Sequence, residues 1–376
     1  MKLASEPKKI ICSNPDSIFR YFAWPSVAKL PDGSLAMTAS GFRLKHICPF
    51  GKAVICYSRD EGKSWTRPAA VIDTPLDDRD AGVVPFADGR VIVTSFNNTI
   101  AQQRKWNTIS EGEHQWESLV RHDLAEAYLN AAEALGNESE FLGSTYKISD
   151  DGGYTFGPFK RSALTAPHGP MRMNDGSLMY VGRRFSADNS VDDGKDPFVQ
   201  TYKLDKNDDF VPFGTIENIY HEDGTLLLSC EPHAIQLPSG KIITHIRVQG
   251  KINSGERIFT VYQAESYDGG KTFTKPHRLL TEKGGSPAHL ILHSSGVLVS
   301  VYGYREAPYG IRAMFSKDEG ETWLTDCILD DECAGPDLGY PASVELADGR
   351  ILTVYYQNID GESVIMQRVW ELPKSI

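Results

Sequence analysis

Ser58-Arg59-Asp60-Glu61-Gly62-Lys63-Ser64-Trp65 returns three more times in this chain, as Ser149-Asp150-Asp151-Gly152-Gly153-Tyr154-Thr155-Phe156, Ser266-Tyr267-Asp268-Gly269-Gly270-Lys271-Thr272-Phe273 and Ser316-Lys317-Asp318-Glu319-Gly320-Glu321-Thr322-Trp323. Every copy reads Ser-x-Asp-x-Gly-x-Ser/Thr-aromatic. The Asp can accept backbone N–H bonds within a turn, the Gly permits a left-handed turn conformation, and the aromatic is placed to pack between strands. Near-identical copies cannot all face one active site, so the octads are read as scaffold and function is sought where the repeats differ.

A second mark accompanies the first. Turn dipeptides between apolar β-prone runs occur at Asp32-Gly33, Asp88-Gly89, Asp175-Gly176, Ser239-Gly240, Ser295-Gly296 and Asp348-Gly349. Such turns are strong hairpin signals, and six hairpins imply six units. In the first unit the strands fall near residues 26–30, 35–39, 53–57 and 69–72, with the octad turning the chain into the fourth. The sequence therefore predicts an all-β fold over residues 1–376: a single-domain six-bladed β-propeller of four-stranded antiparallel blades. The third and sixth blades lack the octad. The last blade runs out near Glu371, so the Lys9–Cys12 run is expected to complete it and close the ring.

Blade 2 is overlong, and a helical insertion is expected at about 108–140. Trp116, Leu119, Val120, Leu124, Ala127, Tyr128, Ala131 and Leu135 recur there with the period of one helix face. That face is read as packed on the propeller's flank or at a homo-oligomer contact, with a lid as the alternative.

With 376 residues, 40% hydrophobic and 24% charged, the composition is that of an ordinary globular protein. A formal charge of −11 without a Lys/Arg-rich run argues against a nucleic-acid partner. The N-terminus lacks a signal-peptide pattern and no apolar run approaches ~18 residues, so no membrane association and a cytoplasmic location are expected. The six cysteines read as free thiols, and no metal, nucleotide or redox cofactor is called for by any motif.

In a propeller, the start of each blade's first strand and the end of its second meet at one rim of the channel. Here the strand starts carry Trp24, Asp78-Arg79-Asp80, His168, Glu231-Pro232-His233, His289 and Tyr340, and the second-strand ends carry Arg43, Arg183-Arg184, Arg247, Arg305 and Tyr355-Tyr356-Gln357. A ring this rich in Arg, His, Tyr and acids points to a polar site.

The octads resemble the Asp-boxes of sialidases, a six-bladed family, and the likeness covers nearly the whole chain. The resemblance implies a Tyr nucleophile at Tyr340, its Glu partner at Glu231, and Arg247 and Arg305 as clamps on a substrate carboxylate. Two departures stand out. The family's Phe-Arg-Ile-Pro reads Phe22-Ala23-Trp24-Pro25, and the loop that carries its acid/base Asp reads Gly41-Phe-Arg43-Leu-Lys45-His46-Ile-Cys-Pro-Phe50, with no Asp. Arg20 or Arg43 is the candidate replacement for the clamp arginine, and His46, Asp78 or Asp80 for the acid; Arg79, His168, His233 and His289 are further substrate-binding candidates. The expected partner is an acidic carbohydrate, hydrolysed at a terminal residue. Two alternatives remain open: a polysaccharide lyase acting on uronic acids by Tyr/His chemistry, and a non-catalytic glycan-binding propeller.

Overall fold

The alternation of apolar residues with Asp-Gly turns builds antiparallel strands throughout the computed structural model, which describes residues 1–109, 116–188, 190, 194–280 and 284–374. The strands assemble into a β-propeller. Two runs, Tyr21–Lys29, Leu35–Arg43, Lys52–Ser58, Ala69–Ile72 and Gly339–Glu345, Ile351–Ile359, Glu362–Trp370, Lys9–Cys12, share one eight-stranded sheet through the parallel pair Tyr21–Ser363. Between them lie sheets led by Arg79–Pro85, by Leu164–Thr165 and Met171–Arg172, by Leu226–Gln236 and by Gly285–Leu292. Lys9–Cys12 pairs antiparallel with Glu362–Trp370, Lys9 opposite Gln367. Chain ends are thus joined within one sheet.

The octads form the same turn each time. The Gly N–H of each donates to the Ser Oγ at 2.8–2.9 Å, and the following Ser/Thr N–H donates to the Asp carboxylate at 2.8–2.9 Å. Each glycine carbonyl then accepts a bond from the third strand of the preceding four-strand run: Gly62 from Gln367 at 2.9 Å, Gly153 from Tyr57, Gly270 from Thr201 at 2.8 Å and Gly320 from Gln263 at 2.9 Å. The octad is an inter-sheet latch. Its tryptophans reach the same glutamines, Trp65 Nε1 donating to Gln367 at 2.7 Å and Trp323 Nε1 to Gln263 at 2.9 Å.

Helices α1 (Ile100–Trp106), α2 (Trp116–Leu135) and α3 (Glu138–Phe141) lie between the strands Val91–Phe96 and Ser144–Ser149. The expected insertion's segment 110–115 falls outside the described residues. The α2 stripe predicted from the sequence is out of phase. Trp116, Leu119, Leu124 and Leu135 are exposed, whereas Ala125, Leu129 and Ala132 are buried, with Leu129 and Ala132 in a cluster with Leu76 and Ile100. Small side chains let this face approach closely, and ion pairs of Glu126 with Arg104 and Glu117 with Arg20 fix its edges. Among the described residues no helix is long and apolar enough to cross a membrane, and all six cysteines are free and buried.

Candidate active site

The first strand of four runs carries the same irregularity. Trp24, Asp80, Glu231 and Tyr340 have φ of 53°, 52°, 47° and 47°, each within a register shift of the strand pair. A non-glycine residue held left-handed costs on the order of 1–3 kcal/mol, so four of them mark a place where the surrounding fold imposes the geometry. All four side chains line one cavity of about 340 Å³, with His46, Arg79, Trp106, Arg247, Gln249 and Arg305. An adjoining cleft of about 620 Å³ shares His46, Arg247 and Arg305 and adds Asp337.

Tyr340, Glu231 and Arg247 form the centre. The Tyr340 hydroxyl donates to Glu231 Oε1 at 2.7 Å, and Arg247 Nη1 donates to Glu231 Oε2 at 2.6 Å and to the Tyr340 oxygen at 3.1 Å. Burial, followed by the Glu231 charge, pushes the Tyr340 phenol well above its ordinary value. The phenol therefore keeps its proton at rest and needs Glu231 to take it. Burial, then Glu231, also pushes the Asp80 carboxyl up to about 7. Arg305 stacks near the Tyr340 ring, its guanidinium carbon 5.6 Å from the centroid, and its Nε and Nη2 have no hydrogen-bond partner among the described residues. Arg79 is held between Phe96 and Trp106, at 4.7 and 5.3 Å from their centroids.

Six sequence-derived candidates lie elsewhere. Arg43 is fully buried, paired with Asp77 at 2.6 Å and packed against the Trp24 ring, so Trp24 and not Arg43 lines the cavity. Arg20 is turned to the helical insertion, 2.7 Å from Glu117. His168, His233 and His289 cluster in a separate cavity, with ring centroids 4.1–5.5 Å apart. Burial, then the charges of neighbouring histidines, holds all three imidazoles well below their ordinary value. All three rings are buried and packed against one another. Asp78 is also buried away from the cavity, bonded to Thr74 and Asn97.

Asp337 is the residue that strand-start reasoning passes over. It follows a turn rather than opening a strand, yet it bonds His46, Tyr21 and Tyr356. Among the described residues no group of three or more His, Cys, Asp or Glu is arranged to hold a metal ion.

Comparison with solved structures follows this geometry. The chain resembles a protein of unknown function from Dyadobacter fermentans DSM 18053 (20% identity, 99% of each chain, TM-score 0.73). It also resembles the intramolecular trans-sialidase from Ruminococcus gnavus (12% identity, 97% of each chain, TM-score 0.62) and the alpha-L-arabinanase from Penicillium chrysogenum (15% identity, 99% of this chain and 100% of that one, TM-score 0.65). These likenesses show a shared β-propeller fold. No family model and no curated protein matches the sequence.

Proposed function

We propose that this chain is a retaining exo-glycosidase of sialidase type that releases a terminal acidic sugar, with Tyr340 as nucleophile. In this reading the eight-stranded sheet counts as two blades, giving six, with the Asp-box-like octads as latches and the helices as an insertion in the second blade. The single observation that carries the proposal is the Tyr340–Glu231–Arg247 arrangement. A phenol with a raised pKa is a poor nucleophile unless its proton passes to a base within hydrogen-bond reach, and Glu231 lies at 2.7 Å. Arg247 steadies both oxygens as charge moves between them. Arg305, which lines the cavity and has two donors without a partner among the described residues, is the group that grips the substrate carboxylate.

The lyase alternative loses three of its candidate bases, since His168, His233 and His289 line another cavity. The test is covalent trapping. A fluorinated acidic glycosyl fluoride that slows hydrolysis of the intermediate should add one sugar mass to the wild type, mapped to Tyr340 by peptide mass spectrometry. A Tyr340→Phe variant that keeps full turnover on every glycoside would remove the reading.

A further inference from the structure

A glycoside with an ordinary alcohol as leaving group also needs a proton for the departing oxygen, and the loop at residues 41–50 has no carboxylate to give one. His46 occupies that loop. Its ring stands edge-on to Trp24 and Tyr21, at centroid distances of 5.0 and 5.9 Å. Nδ1 lies 3.0 Å from Asp337 Oδ1 and 2.7 Å from the Tyr21 hydroxyl. The Tyr21 hydroxyl gives its single proton to Asp337 Oδ2 at 2.8 Å, and the Tyr356 hydroxyl donates to Oδ1 at 2.9 Å. Burial would raise the Asp337 carboxyl, but bonds from His46, Tyr21 and Tyr356 and the His46 charge hold it well below the usual carboxylate range. An ionised Asp337 only accepts, so Nδ1 must carry a hydrogen, and Nε2 is the atom left for the cavity.

We propose that His46, oriented by Asp337, is the proton donor and acceptor of this site. The inference rests on Tyr340 acting as nucleophile. In the first step the Tyr340 oxygen bonds to the anomeric carbon, the glycosidic C–O bond breaks with its electron pair going to the leaving oxygen, and that oxygen takes the proton from His46 Nε2. The Tyr340 proton passes to Glu231. In the second step water attacks the anomeric carbon and gives its proton to Nε2, while the Tyr340 oxygen departs and recovers its proton from Glu231.

The position of His46 fits this role better than that of Asp80. His46 lines both the inner cavity and the outer cleft, at the junction a departing aglycone must cross, whereas Asp80 borders the inner cavity alone beside Glu231. Other charged or titratable groups around the ring are Arg43, whose Nη2 donates to the His46 carbonyl, and Arg247, Arg257, Arg305 and Glu306 across the cleft, with Glu231 and Tyr340 deeper. Asp337 supplies orientation and charge without bordering the inner cavity, which makes it a positioning residue.

The experiment compares the full-length wild type, His46→Gln and Asp337→Asn on two glycosides of one acidic sugar, one with an alkyl alcohol and one with a nitrophenol leaving group. His46→Gln should lose about 10²–10⁴-fold in kcat/KM on the alkyl glycoside and less than about tenfold on the nitrophenyl glycoside, which leaves without a proton. Equal losses on both would overturn the proposal. Asp337→Asn should keep the fold by circular dichroism and lose kcat/KM on the alkyl glycoside more than on the nitrophenyl glycoside, as His46→Gln does. An equal loss on both would also overturn it. Nitrogen-detected NMR of the His46 ring gives a readout independent of turnover: a neutral Nδ1–H tautomer supports the dyad, and a neutral Nε2–H tautomer overturns it. If no acidic glycoside is cleaved by the wild type, the Tyr340 reading fails, and the tautomer still reports on the pair.

Discussion

Gln249 Oε1 accepts from Arg247 at two nitrogens, Nε at 3.1 Å and Nη2 at 2.6 Å. With Nη1 committed to Glu231 and Tyr340, the guanidinium fork of Arg247 is engaged inside the protein. Under the proposed function, a substrate carboxylate would meet a different arginine first.

Arg305 should therefore dominate anion binding. Charge-assisted hydrogen bonds are worth about 1.5–3 kcal/mol, so Arg305→Ala should weaken an acidic monosaccharide about 10- to 100-fold by calorimetry. Gln249→Ala frees two donors of Arg247 and should tighten the same ligand. Unchanged affinity in Arg305→Ala would place the anion elsewhere.

Glu231→Gln tests the base. The variant leaves an uncharged acceptor beside a phenol that burial already holds in its protonated form. Turnover should drop about 10²–10⁴-fold with little change in KM, measured on the nitrophenyl glycoside to keep the leaving-group proton out of the comparison.

Asp80 changes charge near neutrality. Its carboxyl, pushed up to about 7 by burial and Glu231, is neutral below that pH and adds a negative charge to the cavity above it. Affinity for an acidic sugar should fall as pH rises through 7, by up to about tenfold per unit, and Asp80→Asn should flatten the profile between pH 6 and 8. A slope that survives in Asp80→Asn would assign it to another group.

The latch predicts a stability cost far from the cavity. Gln367→Leu strands the carbonyl of Gly62 and the indole N–H of Trp65, and should lower unfolding free energy by about 1–3 kcal/mol in urea titrations without altering kcat. A loss below about 0.5 kcal/mol would mean that water satisfies both groups.

His168 couples stability to acidity. Burial, then His233, keeps its imidazole neutral in the folded state, while the unfolded chain takes up a proton below about pH 6.5. The unfolded state binds more protons there, so this contribution is complete above about pH 7 and is lost as pH falls, at about 1.4 kcal/mol per unit. Asp78 and Asp80, both raised to about 7, act in the opposite direction but equally in wild type and variant. Neither nitrogen of His168 has a partner among the described residues, so His168→Phe removes the titration while keeping a ring. The variant's stability should depend less on pH between 5 and 6.5 by that amount, read from urea midpoints.

The repeats were legible because their chemistry is local. Ser58, Asp60 and Gly62 close their turn within a few residues, and Asp-Gly turns announce hairpins without distant partners. Tyr340 and Glu231 were legible because strand starts converge, which topology alone guarantees. What escaped depended on long-range partners or on conformation. Arg43 looked available because nothing in its neighbourhood advertises Asp77, and His46 meets Asp337 across a separation of 291 residues. The left-handed backbone at Trp24, Asp80, Glu231 and Tyr340 had no signal, since none is glycine. Helix α2 misled because its buried side is built largely of alanines, which a hydrophobic count undervalues beside exposed Trp116.

The pairing of Lys9–Cys12 with Glu362–Trp370 sets the order of events on the ribosome. About 350 residues must be made after the first strand before its neighbour exists, roughly 20–70 s at ~5–20 residues per second. Throughout that interval the nascent chain carries an unsatisfied strand edge, the feature that recruits chaperones or seeds aggregation. Production of this protein should thus be limited by what happens to an open ring during translation, and slower growth at lower temperature or added chaperone should raise its yield.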